Sequence, residues 1–193
     1  FLGPTDNAKT PETHLIDSIP EEGLSKVGEM EKGSGYTSPV IVDGKLILFD
    51  RLGDDETVDC LDPDTGKQYW QYRYPVVYTD RYGFNDGPRA SAVIDSGKVY
   101  TLGVTSKLTC LDLATGSVLW QRDLMKEFDR ANFFFGHGSC PLIYNGKLIV
   151  PLGTNGIEKG LSVAAFDQHS GALLWGDEHL SLIHISEPTR QWS

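Results

Sequence analysis

The sequence predicts an all-β fold built from repeated four-stranded units, and three observations support this prediction. A nine-residue pattern of Asp, three residues, Gly, three residues and Trp occurs three times, ending at Trp70, Trp120 and Trp175. These tryptophans are 50 and then 55 residues apart. Each unit also contains four short runs rich in Val, Leu and Tyr. Since four antiparallel strands that recur at this period are typical of a propeller blade, we predict a β-propeller fragment of about three blades, an incomplete ring.

The second unit shows the predicted strands most clearly, because turn residues separate its four apolar runs. These runs are Ser91–Ile94, Lys98–Val104, Lys107–Asp112 and Ser117–Arg122. Leu24–Met30 is predicted to be an outer strand that closes the ring. The predicted organisation is a lead-in with this closing strand over 1–35, blade one over 36–74, a channel-side insertion over 75–90, blade two over 91–124, a second insertion over 125–139, blade three over 140–179 and an artefactual tail over 180–193.

The repeated motif has a structural interpretation. Each Asp ends a strand, where its carboxylate can accept backbone N–H groups of the following turn. Each Gly is expected to have a positive φ in a tight hairpin with a bulge. Each Trp is expected on an outer strand, where burial against the next blade contributes about 3 kcal/mol or more. The residues concerned are Asp62, Gly66, Trp70, Asp112, Gly116, Trp120, Asp167, Gly171 and Trp175.

The units also share residues upstream of the motif. In the first unit, Ser38-Pro39-Val40 is followed by Gly44-Lys45 and then by Leu61-Asp62. The Gly66-Lys67 pair and Trp70 of the motif come next. This pattern resembles the pyrroloquinoline quinone (PQQ)-like β-propeller repeat from about Gly35 to Trp175. The repeat is found in quinoprotein alcohol dehydrogenases, in the propeller lipoprotein of outer-membrane barrel assembly, and in other bacterial propellers. The first residues resemble the start of secreted propellers, so a periplasmic or secreted protein is expected, although no signal peptide is visible.

The resemblance implies two alternative functions. Quinoprotein dehydrogenases stack the quinone against two adjacent cysteines and also use a calcium ion and a catalytic Asp. Cys60, Cys110 and Cys140 are not adjacent, and neither a calcium site nor a catalytic residue can be assigned. A non-catalytic binding or scaffold module without an assignable cofactor is therefore predicted. The alternative is a fragment of a quinoprotein-like oxidoreductase, of the alcohol or sugar dehydrogenase type, that uses PQQ and calcium.

The two insertions carry the candidate ligand residues, because they connect an outer strand to the next inner strand at the mouth of the channel. Their aromatic, amide, carboxylate and guanidinium groups suit a protein partner or a small polar or anionic ligand. A purely structural role for the same side chains, with Asp80 and Asp86 pairing with the arginines, is the other interpretation. The candidates are Arg89, Asn85, Tyr82, Asp86, Arg81 and His137.

Composition excludes some functions. The formal net charge of −10 and the sequence pI of about 4.8 argue against a nucleic-acid surface. No apolar run approaches the length of a membrane span. Residues 180–190 read L-S-L-I-H-I-S-E-P-T-R, which resembles the translation of a transposase-type sequencing adapter. We therefore interpret 180–193 as adapter-derived, and expect the native protein to continue beyond about His179.

Overall fold

A computed structural model of the 193-residue chain describes residue 13 and residues 16–26, 28–128, 136–152 and 162–177. These residues form three four-stranded antiparallel sheets in which each strand pairs with its neighbour in the chain. The strands are β1 (Val40–Val42), β2 (Lys45–Leu52), β3 (Asp55–Leu61), β4 (Gln68–Pro75), β5 (Val93–Asp95), β6 (Lys98–Leu102), β7 (Lys107–Asp112), β8 (Val118–Asp123), β9 (Leu142–Tyr144), β10 (Lys147–Pro151), β11 (Val163–Asp167) and β12 (Leu173–Asp177). The predicted fold class, a partial β-propeller with three four-stranded blades, is confirmed.

Some predicted strand ends differ from the structure. β5 begins at Val93 rather than Ser91, and β6 ends at Leu102 rather than Val104. The described residues of Leu24–Met30 are irregular here, and the closing strand of a complete ring stays a prediction. A strand needs a hydrogen-bonding neighbour, and none of the three sheets extends to this segment. A short helix, α1 (Leu124–Glu127), follows β8.

The motif turns have the predicted local structure. One carboxylate oxygen of Asp62 accepts hydrogen bonds from the backbone N–H groups of Asp64 and Thr65, at 3.1 and 2.8 Å. Gly66 has a φ of 70°, and the register of β3 against β4 shifts between Cys60 and Leu61, which is the expected bulge. Asp112 and Asp167 accept the corresponding hydrogen bonds, Gly116 and Gly171 have φ values of 73° and 69°, and the same register shifts occur.

Two of the three motif tryptophans contact the following sheet. The indole N–H of Trp70 donates to the backbone carbonyl oxygen of Leu113 at 3.0 Å, and the indole N–H of Trp120 donates to the backbone carbonyl oxygen of Gln168 at 3.2 Å. The Trp70 ring lies against Gly116, where an added Cβ would be 2.6 Å from ring carbons. The third tryptophan has no following sheet among the described residues, and 43% of its surface is exposed.

The apolar cores lie between neighbouring sheets. One core joins Phe49, Val58 and Trp70 of the first sheet to Val99 and Leu111 of the second. The other core joins the second sheet to the third through a similar set that includes Tyr100, Leu108, Leu148 and Phe166. Stacking of successive sheets therefore buries the apolar surface, as repeat proteins require. Cys60 and Cys110 are buried and unpaired within these cores, whereas Cys140 is exposed.

Candidate functional site

The insertion between the first two sheets forms the loop of residues 76–92, called here the β4–β5 loop. Successive strands run antiparallel, so the β2–β3 turn, the β4–β5 loop and the β6–β7 turn meet at one face of the stack. The N–H of Val76 donates to the Asp54 carbonyl of the β2–β3 turn at 2.9 Å. Arg51, at the end of β2, donates to the carbonyls of Tyr78 and Asp86 at 2.8 and 3.0 Å. These hydrogen bonds hold the loop to the first sheet at Val76, Tyr78 and Asp86.

A buried ion pair organises the interior of the β4–β5 loop. The guanidinium of Arg89 lies 2.7 Å from the Asp80 carboxylate, and their side chains are 12% and 1% exposed. Burial by itself would raise the pKa of Asp80, but N–H groups of Tyr82 and Phe84 and the charge of Arg89 outweigh it and lower that pKa. Asp80 is therefore ionised at neutral pH and holds both sides of the loop together.

The remaining donors of Arg89 also point into the loop. They reach the carbonyl oxygens of Gly87 and Asn85, both at 3.0 Å. The guanidinium carbon lies 5.6 Å from the ring centre of Tyr36 and 5.5 Å from that of Tyr78, within the range of cation–π attraction. These contacts favour the structural interpretation of Arg89 over direct binding of a ligand.

The other predicted site residues of this loop lie around the same pair. The Asn85 side-chain oxygen accepts the N–H of Gly87 at 2.8 Å, and Asp86 accepts the N–H of Asp80 at 2.6 Å. Arg81 and Tyr82 are exposed. The structure therefore brings five of the six candidates into one loop, where Asn85 and Asp86 serve its internal hydrogen bonds.

Two aromatic side chains project from the loop. Tyr82 is 58% exposed and Phe84 is 71% exposed. Their ring centres are 6.0 Å apart and the rings are tilted by 46°. Both backbone N–H groups donate to Asp80, at 2.9 and 3.3 Å, so the buried carboxylate directly positions the exposed aromatic pair. Sequence analysis selected Tyr82 but missed Phe84, although the pattern Tyr-Gly-Phe between two charged groups could have indicated the pair.

The sixth candidate, His137, belongs to the second insertion and is buried, with only 3% exposure. Its neighbours Gly136 and Gly138 lie beside Tyr78 and Arg89 of the β4–β5 loop. The backbone N–H of His137 donates to the Val104 carbonyl at 2.9 Å, and the ring Nδ1 lies 3.1 Å from the Ser106 hydroxyl. Burial lowers its pKa to about 4, against the opposing effect of a backbone hydrogen bond to Pro151. His137 is thus neutral at physiological pH. Phe133–Phe135, in the same insertion, lie outside the described residues.

A second buried network at this face was not predicted. Glu56, in β3, is fully buried between the first two sheets and accepts hydrogen bonds from the Tyr74 hydroxyl and from the Val104 N–H. Burial raises its pKa, although both hydrogen bonds and the charges of Arg51 and Lys107 oppose this. Sequence spacing alone places Glu56 near an exposed turn, and only the following sheet buries it.

Within the described ranges, no group of three or more His, Cys, Asp or Glu side chains is arranged to hold a metal ion. Across the same ranges, no helix has both the length and the apolar character needed to cross a membrane.

The stacked sheets, the repeated turns and the Trp contacts define a propeller built from PQQ-like repeats. The family model described as outer membrane protein assembly factor BamB matches residues 54–191, so the chain belongs to this family. The matched range includes most of the tail interpreted as adapter-derived, which lies outside the described residues.

Relatives of two kinds resemble the chain. Outer membrane protein assembly factor BamB of Yersinia pestis is 30% identical over 156 residues, covering 80% of this chain and 34% of that protein. Quinoprotein alcohol dehydrogenase PedH of Pseudomonas putida is 30% identical over 152 residues, covering 77% of this chain and 23% of that protein. The crystal structure of quinohemoprotein alcohol dehydrogenase from Comamonas testosteroni has a TM-score of 0.54 at 25% identity, covering 76% of this chain and 21% of that one. The chain thus spans from about a fifth to a third of these relatives.

Proposed function

We propose that the chain is a non-catalytic binding or scaffold module of a periplasmic or secreted bacterial propeller, and that it binds a protein partner through the β4–β5 loop. The observation that carries this proposal is the exposed pair of Tyr82 and Phe84, held on a loop whose charged interior is buried. The residues of the pair are exposed while their backbone is fixed by Asp80.

This arrangement suits protein recognition for a physical reason. Tyr and Phe are enriched at interfaces because they cover a large area with few rotatable bonds. A loop already ordered by the Asp80–Arg89 pair has less conformational entropy to lose on binding. In this proposal Arg89 positions the aromatic pair and does not contact the partner. Asn85 and Asp86 have the same supporting role.

The family supports the class of partner. Its model and one of the relatives carry the description of an outer membrane protein assembly factor. We therefore expect the partner to be a protein that takes part in outer-membrane protein assembly, which also favours a periplasmic location.

Site-specific photocrosslinking tests this proposal. A benzoylphenylalanine residue would replace Tyr82 or Phe84 in the 193-residue chain directed to the bacterial periplasm, with Tyr144 as the control position. Tyr144 is 62% exposed at the opposite end of its sheet, beside the β9–β10 turn. We expect one discrete crosslinked protein from positions 82 and 84, identified by mass spectrometry, and a weaker product when Asp80→Asn is added. Equal labelling at all three positions, or no product, would contradict protein binding at the loop.

A second candidate is a quinoprotein-type dehydrogenase, favoured by the similarity to PedH and to 1-butanol dehydrogenase of Thauera butanivorans, which is 27% identical over 157 residues. PQQ would supply the redox chemistry, with calcium as the accompanying ion. Calorimetry with PQQ and calcium, followed by a dye-linked alcohol oxidation assay on the full-length protein, distinguishes the two. Quinone binding with alcohol-dependent dye reduction would establish the enzyme whatever the crosslinking shows, and no quinone binding would favour the scaffold.

A further inference from the structure

The second insertion lies against the β4–β5 loop through two glycines. A Cβ added at Gly136 would be 2.3 Å from a methyl carbon of Val104 and 3.4 Å from the ring of Tyr78. A Cβ added at Gly138 would be 3.8 Å from the side chain of Arg89. Val104 belongs to the β6–β7 turn, whereas Tyr78 and Arg89 belong to the β4–β5 loop. The backbone of the insertion therefore packs against both, and only glycine fits beside Val104.

His137, between these glycines, fixes their position. Its backbone N–H donates to the Val104 carbonyl at 2.9 Å, and its ring Nδ1 lies 3.1 Å from the Ser106 hydroxyl. A further hydrogen bond joins the ring to the backbone of Pro151, at the end of β10. Because Ser106 belongs to the second sheet and Pro151 to the third, the ring holds the insertion where these two sheets meet.

Val104 is held from its other side by the first sheet. Its backbone N–H donates to the buried carboxylate of Glu56 at 2.8 Å, while its carbonyl accepts from His137. Its side chain packs with Val76 and Tyr78 in a small apolar cluster. One residue of the β6–β7 turn thus joins the first sheet, the β4–β5 loop and the second insertion.

Contacts continue from this cluster to the exposed aromatic pair. The Tyr78 ring lies 5.5 Å from the guanidinium carbon of Arg89, and Arg89 pairs with Asp80. Asp80 in turn accepts the backbone N–H groups of Tyr82 and Phe84. Since packed side chains transmit displacement, a shift of the second insertion changes the packing on which the pair depends.

We propose that His137 is a positioning residue for protein binding at the β4–β5 loop, an inference that rests on the proposed function. It acts through Val104 and Tyr78 and does not touch the partner, because its side chain is buried. Without the ring contacts, the second insertion no longer holds the loop in place, and the aromatic pair has more conformational freedom to lose on binding. Binding therefore weakens although no group that the partner contacts has changed.

Photocrosslinking at position 84 measures this effect. Benzoylphenylalanine replaces Phe84 in the 193-residue chain directed to the periplasm, alone or with His137→Ala, which removes the ring contacts and keeps the backbone N–H. We expect the yield of crosslinked partner, relative to the amount of chain, to fall at least about fivefold with His137→Ala. His137→Asn, whose amide can replace Nδ1 beside Ser106, should restore part of the yield.

Gln168→Ala is the matched control. Gln168 is 4% exposed, and its side-chain amide donates to Asp95, so it joins the same two sheets. It lies at their opposite end, beside the β9–β10 turn, where its N–H donates to the Gly146 carbonyl. Gln168→Ala should lower the urea midpoint and leave the crosslinking yield unchanged.

Circular dichroism shows which variants are folded. If His137→Ala does not fold, Ser106→Ala removes only the hydroxyl beside Nδ1 and should also lower the yield. An unchanged yield in either folded variant, or an equal loss with Gln168→Ala, would overturn the positioning role of His137 and leave the proposed function standing. The absence of any product at position 84 without a second substitution would overturn both.

Discussion

Substitution of the motif glycines separates packing between sheets from backbone strain. Gly66 and Gly116 have almost the same φ, 70° and 73°. Alanine at either position therefore bears a similar conformational cost of about 1–2 kcal/mol. At Gly116 the new Cβ would also lie 2.6 Å from two carbon atoms of the Trp70 ring, whereas at Gly66 it would meet nothing within 4 Å. Gly66→Ala is thus a matched control for Gly116→Ala.

The additional destabilisation at Gly116 can be worked out from this contact. Overpacking of a core costs about 1–3 kcal/mol. Displacement of the ring also weakens the 3.0 Å hydrogen bond from Trp70 to the Leu113 carbonyl, a loss of about 0.5–1.5 kcal/mol. We therefore expect Gly116→Ala to lower the free energy of unfolding by about 2–4 kcal/mol more than Gly66→Ala does.

Urea denaturation followed by tryptophan fluorescence and circular dichroism measures this difference. With a slope of about 2 kcal/mol/M, the midpoint of Gly116→Ala should lie about 1–2 M below that of Gly66→Ala. The measurement is made at a concentration where sedimentation shows single copies. Gly171→Ala should behave like Gly116→Ala, because its Cβ would lie 2.7 Å from the Trp120 ring. Equal midpoints for Gly66→Ala and Gly116→Ala would refute the inferred role of the Trp contact.

Two further predictions concern titration. The pKa of Asp62 is about 2, against an ordinary 3.8, and the hydrogen bond from the Tyr69 hydroxyl is the largest cause. We expect Tyr69→Phe to move the pKa of Asp62 toward 3.8 in an NMR titration. The pKa values of Asp112 and Asp167 should stay unchanged, because their motifs have Leu at the position of Tyr69. Burial lowers the pKa of His137 from 6.5 to about 4. As the pH falls, this histidine therefore takes up its proton in the unfolded chain before it does so in the folded one. The free energy of unfolding should fall by up to about 3 kcal/mol between pH 6.5 and pH 4. Urea midpoints of His137→Gln should lose this slope, and an unchanged slope would assign it to other groups.

The motif turns could be predicted because their interactions are local. An Asp four residues before a Gly specifies both the carboxylate that accepts the turn N–H groups and the residue that adopts a positive φ. Strand ends were predicted less well, since pairing with a neighbour decides whether Ser91 or Val104 belongs to a strand. Leu24–Met30 has the composition of a strand but no partner among the three sheets.

The candidate site was predicted only in part. The insertion and its charged and aromatic residues were visible as a departure from the repeat. Their partners were not, because Asp80 and Arg89 lie nine residues apart in an irregular loop whose path the sequence pattern does not specify. The burial of Glu56 depends on Val104 of the following sheet, 48 residues away. The sequence does not show whether Phe84 belongs to the core, and only the structure shows that its side chain is exposed.

The sequence by itself determined the repeated four-stranded unit, because periodic apolar runs and turn residues act over short distances along the chain. Only the tertiary structure decided which of the equivalent motif tryptophans and glycines are covered by a neighbouring sheet. Trp70 and Trp175 share one motif but differ in burial, since burial depends on a sheet placed against them. In the same way, Gly66 and Gly116 share a backbone conformation and differ in their neighbours. Contacts between units depend on the position of each unit in the stack, which a repeated pattern does not encode.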